Sequence, residues 1–121
     1  MLGCRAADRQ FDLLPYLKGV ELGPAGRPVA GTVGASANNG VGGVGVAWGA
    51  RLMPLRALDG REGTEYDVLQ AVRYAAGLPN DSGRLPVSRA DIINLSLGSD
   101  EACSPATAAV LQQVAAQGVA V

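Results

Sequence analysis

Pro28-Val29-Ala30-Gly31-Thr32, followed by Ala37-Asn38-Asn39-Gly40-Val41-Gly42-Gly43-Val44-Gly45-Val46-Ala47, is the stretch on which the reading of this chain turns. From Val29 to about Ser36 the side chains are small and suit a short helix. Pro28 can begin it, because the N–H groups of a first helical turn lack intrahelical partners. Asn38–Gly45 is dense in glycine and asparagine, the residues that enter positive φ at least cost, and reads as a loop. Ala50–Leu58 then reads as a strand carrying Leu52, Met53, Leu55, Ala57 and Leu58. Pro54 inside it is a local objection, since proline donates nothing to a ladder and prefers an edge or a bulge.

Further along, Thr64 and Asp67 have the spacing of a capping box, in which each satisfies a backbone N–H that the helix start leaves open. Val68, Ala71, Val72, Ala75 and Ala76 follow on one face, so the spacing predicts an amphipathic helix ending near Gly77-Leu78-Pro79. Asn80–Arg89 reads as a surface loop, and Ile92–Leu97 as a buried strand bounded by Asp91 and Gly98. Ser104 as cap, Pro105 at the first helical position and Gly118 as stop frame a further helix with Val110, Leu111, Val114 and Ala115 on one face. Val119-Ala120-Val121 begins another strand. Strands alternating with helices imply an α/β fold, a parallel β-sheet with flanking helices, joined by right-handed crossovers. Residues 1–24 show no sustained period and stay an unassigned N-terminal segment.

Composition narrows the partners. Ten Lys+Arg against eleven Asp+Glu leave a net charge of −1, with no basic run, so neither nucleic acid nor an anionic membrane has an electrostatic reason to bind. No apolar stretch approaches the ~20 residues that span a bilayer. Seventeen glycines beside a single Trp and a single Phe suggest close packing of small side chains, as in layered α/β folds. A chain of 121 residues fits one domain that buries roughly two thirds of its unfolded surface. The two cysteines, Cys4 and Cys103, have no metal-site spacing, and a disulfide between them is left open.

Gly26 with Val29-Ala30-Gly31-Thr32, the Asn-rich loop ending in Gly45-Val46-Ala47, and Asp91-Ile92-Ile93-Asn94-Leu95-Ser96-Leu97-Gly98 resemble, in order and spacing, the subtilisin-like serine proteases (subtilases, peptidase S8). The histidine motif of that family reads His-Gly-Thr-His-Val-Ala-Gly-Thr. The resemblance runs from about Gly26 to Val121. It implies that 25–121 are part of a three-layer α/β/α peptidase domain whose activity is peptide-bond hydrolysis. It also implies an extended peptide as partner, contacted by Ser96, Leu97 and Gly98 on one side of a cleft and by Glu62, Gly63 and Thr64 on the other. Both stretches end predicted parallel strands, where open α/β sheets bind ligands. The resemblance further implies a calcium loop, with carbonyls of Ala37, Val41 and Gly43 and the side chain of Asn39 as ligands. All four donors are neutral, whereas calcium takes six to eight oxygens, usually with carboxylates among them, so a plain glycine-rich turn competes with that reading.

The catalytic apparatus departs from the pattern. The mechanism needs an imidazole to accept the proton of the attacking hydroxyl, and this chain has no histidine. Ala25 stands at the family's catalytic histidine and Pro28 at its second one. Neither Asp8 nor Asp12 has the context of the family's aspartate, and the oxyanion asparagine and the Gly-Thr-Ser serine motif are not found. A central fragment, inactive as given, is therefore expected; a non-catalytic peptide-binding relative is the alternative. The family is mostly secreted, yet Met1–Arg5 does not read as an export signal. Cys103 beside Ser104 could act as nucleophile only through a helix N-terminus, and otherwise neighbours a cap. Gly40-x-Gly42-x-x-Gly45 matches a dinucleotide-binding string but lies after a helix and before a strand, the reverse of the required order.

Overall fold

The computed structural model describes residues 26–58, 63–98 and 102–121. Three helices organise them: α1 Gly26–Gly34, α2 Glu65–Ala75 and α3 Pro105–Ala116. The chain divides between Pro54 and Leu55 into two compact units.

In the unit ending at Pro54, α1 begins at Gly26, ahead of Pro28, which still lies in the first turn where a missing N–H costs nothing. Ala30 is fully buried. The glycine-rich loop returns onto the end of α1 through three main-chain bonds: Gly45 N to Ala35 O at 2.9 Å, Val46 N to Thr32 O at 3.0 Å, and Ala47 N to Val33 O at 2.7 Å. Inside the loop Asn38, Gly40 and Gly42 take positive φ, of 58°, 69° and 62°.

The second unit is built on α2 and α3. Thr64 caps α2 through a full capping box with Asp67, and Ser104 caps α3 with Pro105 directly after it, both as the sequence requires. Both helices also stop alike. Gly77 donates to Tyr74 O and Leu78 to Arg73 O, while Gly118 donates to Ala115 O and Val119 to Val114 O. These are paired Schellman closures, with Gly77 at φ +71° and Gly118 at φ +74°. Leu69, Val72, Ala76, Val110, Val114 and Val119 form the core between the helices, and Val68, Leu78, Ile93 and Leu95 pack on its margin. Leu69 joins the core although the expected stripe omits it, and Ala115, expected on the inner face, is exposed.

Of the expected α/β sheet, the structure shows the helices and a trace of parallel pairing. Among the described residues no strand forms; one parallel bridge pairs Ile92 with Ala120. Ala120 donates to Asp91 O at 3.0 Å and accepts from Ile93 N at 2.8 Å, the slanted pattern of parallel pairing. The segment after Asp91 is also not buried: Ile93 and Leu95 face the helices, whereas Ile92 is 74% exposed. Parallel strands need cover on both faces, and among the described residues Ile93 and Leu95 are packed against the core of α2 and α3. Ala50–Leu58 carries Pro54, which cannot donate, and forms no ladder among the described residues.

Candidate functional site

Ser96, Leu97 and Gly98 continue the segment that pairs with Ala120, with Ser96 and Leu97 half-buried and Gly98 exposed. Asn94 Nδ2 donates to Ser96 Oγ at 2.7 Å, which ties these two side chains together along one face of the extended segment. Among the described residues, its pairing with Ala120 involves Asp91 and Ile93. The main chain from Asn94 onward runs past that pairing.

On the opposite expected wall, Glu62 lies outside the described residues. Gly63 passes so close to Ala57 and Leu58 that a Cβ there would meet Leu58 Cδ2 at 2.3 Å and Ala57 O at 3.0 Å. Thr64 is committed to the helix start. Its N–H donates to Asp67 Oδ2 at 3.1 Å and its hydroxyl at 2.6 Å, while Asp67 N donates back to Thr64 Oγ1 at 3.1 Å. These bonds hold the Asp67 carboxyl below its ordinary value, the Thr64 hydroxyl first and its N–H second.

In the loop expected to hold calcium, Asn39 Oδ1 accepts from Val41 N at 3.0 Å. The one side-chain donor of that set is thus bonded to the loop's own main chain, and Asn39, Val41 and Gly43 are exposed, with Ala37 half-buried. Among the described residues no cluster of three or more His, Cys, Asp or Glu could hold a metal. Gly45 is buried, and a Cβ on it would lie 2.4 Å from Ala35 N and 2.6 Å from Gly34 N. Its glycine is demanded by close packing on the end of α1. Residues 46–49 form a turn, so no helix N-terminus follows Gly45 to meet a pyrophosphate. Ala25 lies outside the described residues, as does Cys4; Cys103 is disulfide-bonded and offers no free thiol.

Sequence reasoning missed a cluster joining the two helix starts. Ser104 Oγ donates to Glu65 Oε1 at 2.6 Å and the Thr107 hydroxyl donates to the same oxygen. Ser104 Oγ meanwhile accepts from Thr107 N at 3.1 Å. The two hydroxyls hold the Glu65 carboxyl below its ordinary range, Ser104 contributing most. No local spacing signals this, because Glu65 and Ser104 lie on different helices. A second polar group anchors the loop after α2: Tyr66 donates its hydroxyl to the Asp81 carboxylate, and Asp81 N donates to Gln70 Oε1 at 2.9 Å. The Asp81 bond pushes the Tyr66 phenol up. Tyr66, Gln70, Arg73, Asn80, Asp81 and Val110 line a shallow concavity there that contains none of the expected site residues.

A model of the subtilase family matches residues 26–121. An extracellular basic protease of Dichelobacter nodosus is 39% identical over 79 residues, which is 65% of this chain and 13% of that protein. A thermophilic serine proteinase of Bacillus sp. strain AK1 is 42% identical over 82 residues, 67% of this chain and 18% of that protein. Among solved structures, a protease from Pseudoalteromonas arctica superposes with a TM-score of 0.74 at 35% identity, covering 78% of this chain and 28% of that one. The chain therefore spans a small share of the length of the relatives it matches.

Proposed function

Because the chain belongs to the subtilase family, we propose that residues 25–121 are a central segment of a serine endopeptidase domain and that the chain by itself does not cleave peptide bonds. The observation that carries this reading is the lack of any histidine, with Ala25 at the position of the catalytic one. A methyl group cannot take the proton that the attacking hydroxyl must lose, and loss of the triad in this mechanism costs on the order of 10⁶-fold in turnover.

The peptide-contact role belongs to Ser96, Leu97 and Gly98, with Glu62, Gly63 and Thr64 opposite. In support, the main chain at 96–98 continues beyond its pairing with Ala120, so its N–H and C=O groups suit addition of an extended peptide as a further strand. We read residues 37–43 as a closing turn for α1, because a calcium ion there would find neutral donors with the Asn39 oxygen already bonded to Val41 N.

Casein hydrolysis by the purified polypeptide tests the central point. The expected rate equals that of buffer. Cleavage that a serine-directed phosphonate abolishes would overturn the reading.

A further inference from the structure

The loop that closes on α1 carries a chemistry independent of any protease role. Asn39 is followed by Gly40, both exposed, and Gly40 has φ +69° with open space where a side chain would be. Asn39 Oδ1 accepts from Val41 N at 3.0 Å, which folds the side chain back along its own main chain and draws electron density from Cγ. An electrophilic carbon and the next residue's main-chain nitrogen, unshielded by any side chain, are thus adjacent in sequence, at the spacing that closes a five-membered ring.

We propose that Asn39-Gly40 is a self-modification site, where the Asn39 side chain cyclises onto the Gly40 nitrogen and reopens as aspartate or isoaspartate. Solvent hydroxide removes the Gly40 N–H proton, and the nitrogen attacks Asn39 Cγ. The N–Cγ bond forms as the Cγ–Nδ2 bond breaks, and the departing nitrogen takes up a proton to leave as ammonia. Water then opens the five-membered imide. Attack at Cγ restores the normal main chain as aspartate, and attack at the Asn39 main-chain carbonyl routes the chain through the side chain as isoaspartate. No electrons are exchanged at either step. The products add a carboxylate to the loop, and isoaspartate also adds a backbone atom inside a loop clamped at Gly45, Val46 and Ala47.

The other asparagines lack this combination. Asn38 is followed by Asn39, whose side chain shields the attacking nitrogen. Asn80 is held at both ends of its amide: Nδ2 donates to Leu78 O at 3.1 Å and Arg84 O at 2.8 Å, and Oδ1 accepts from Ser82 N at 3.1 Å. Asn94 precedes Leu95, and its Nδ2 is bonded to Ser96 Oγ at 2.7 Å.

Incubation of the whole chain in mildly alkaline buffer, followed by peptide mapping with fragment spectra, tests the proposal. The mass gain of an acid replacing an amide should accumulate at Asn39 at least about tenfold faster than at Asn38, Asn80 or Asn94, a barrier difference of about 1.4 kcal/mol. It should appear as two separable products and vanish from this peptide in the Asn39→Gln chain. A short unstructured peptide containing Asn-Gly, run alongside, calibrates the buffer. If that peptide converts while Asn39 in the chain does not, or if Asn80 or Asn94 keeps pace with Asn39, the proposal is overturned.

Discussion

Ser104 holds three groups at once: it accepts from Thr107 N, donates to Glu65, and sets the first turn of α3 behind Pro105. Replacing a helix cap with alanine costs about 1 kcal/mol, so Ser104→Ala should lower stability by at least that much, since it also strips Glu65 of a donor. Thr64→Ala should cost a similar amount at α2. Thermal unfolding of each variant checks both, and a double-mutant cycle of Ser104→Ala with Glu65→Gln should reveal coupling between the helix starts. The same bonds set a pH dependence. Glu65 and Asp67 have carboxyls held below their ordinary values of 4.5 and 3.8. A group whose folded value is the lower one adds stability above its ordinary value, and that stability is lost as pH falls through the folded value. Stability should therefore be level near neutrality and decline on acidification below about 4. Glu65→Gln should remove part of the decline, as acid titration followed by circular dichroism would show.

At the level of elements, what could be read in advance was whatever depends on neighbours in sequence. Thr64 with Asp67, Ser104 with Pro105, and Gly77 and Gly118 as stops are local instructions, and α2 and α3 follow them to within a residue or two. Pairing is not local. Ile92–Leu97 has the apolar content of a strand, yet its bonding to Ala120 and the cover over one face depend on where α3 delivers the chain. Among the described residues the bridge at Ile92 therefore forms without a sheet around it. The expected site divides the same way: Thr64 could be placed because it is a cap, whereas the Glu65, Ser104 and Thr107 cluster joins separate helices and left no mark on spacing. The loop clamp is the element most open to a direct test. A Cβ at Gly45 would lie 2.4 Å from Ala35 N and 2.6 Å from Gly34 N, main-chain atoms that cannot swing aside as a side-chain tip can. Gly45→Ala should detach the loop from α1, and hydrogen exchange should then accelerate at the Gly45, Val46 and Ala47 amides while the α2 and α3 amides keep their protection.

For the chain as a whole, family membership and catalytic competence rest on different residues. Val29–Thr32, Gly45–Ala47 and Asn94–Gly98 match the family at positions that serve shape and packing: small residues within α1, a glycine where no Cβ fits, and the segment that runs on from the pairing with Ala120. Catalysis depends on groups that packing does not need, so a sequence reading Ala25-Gly26-Arg27-Pro28 is compatible with the family's shape whether or not it supports the family's chemistry. The triad acts as a unit, and removing its serine or histidine costs about as much as removing all three. Restoring one member should accordingly restore nothing. Ala25→His reinstates an imidazole at the family position, but the sequence holds no Gly-Thr-Ser for it to activate. The variant should hydrolyse a fluorogenic peptide at the rate of the unaltered chain, both at background. A rise in rate that follows imidazole deprotonation near neutral pH would show that a nucleophile and an orienting carboxylate are present among these residues after all, and would reverse the assignment of the chain as catalytically incomplete.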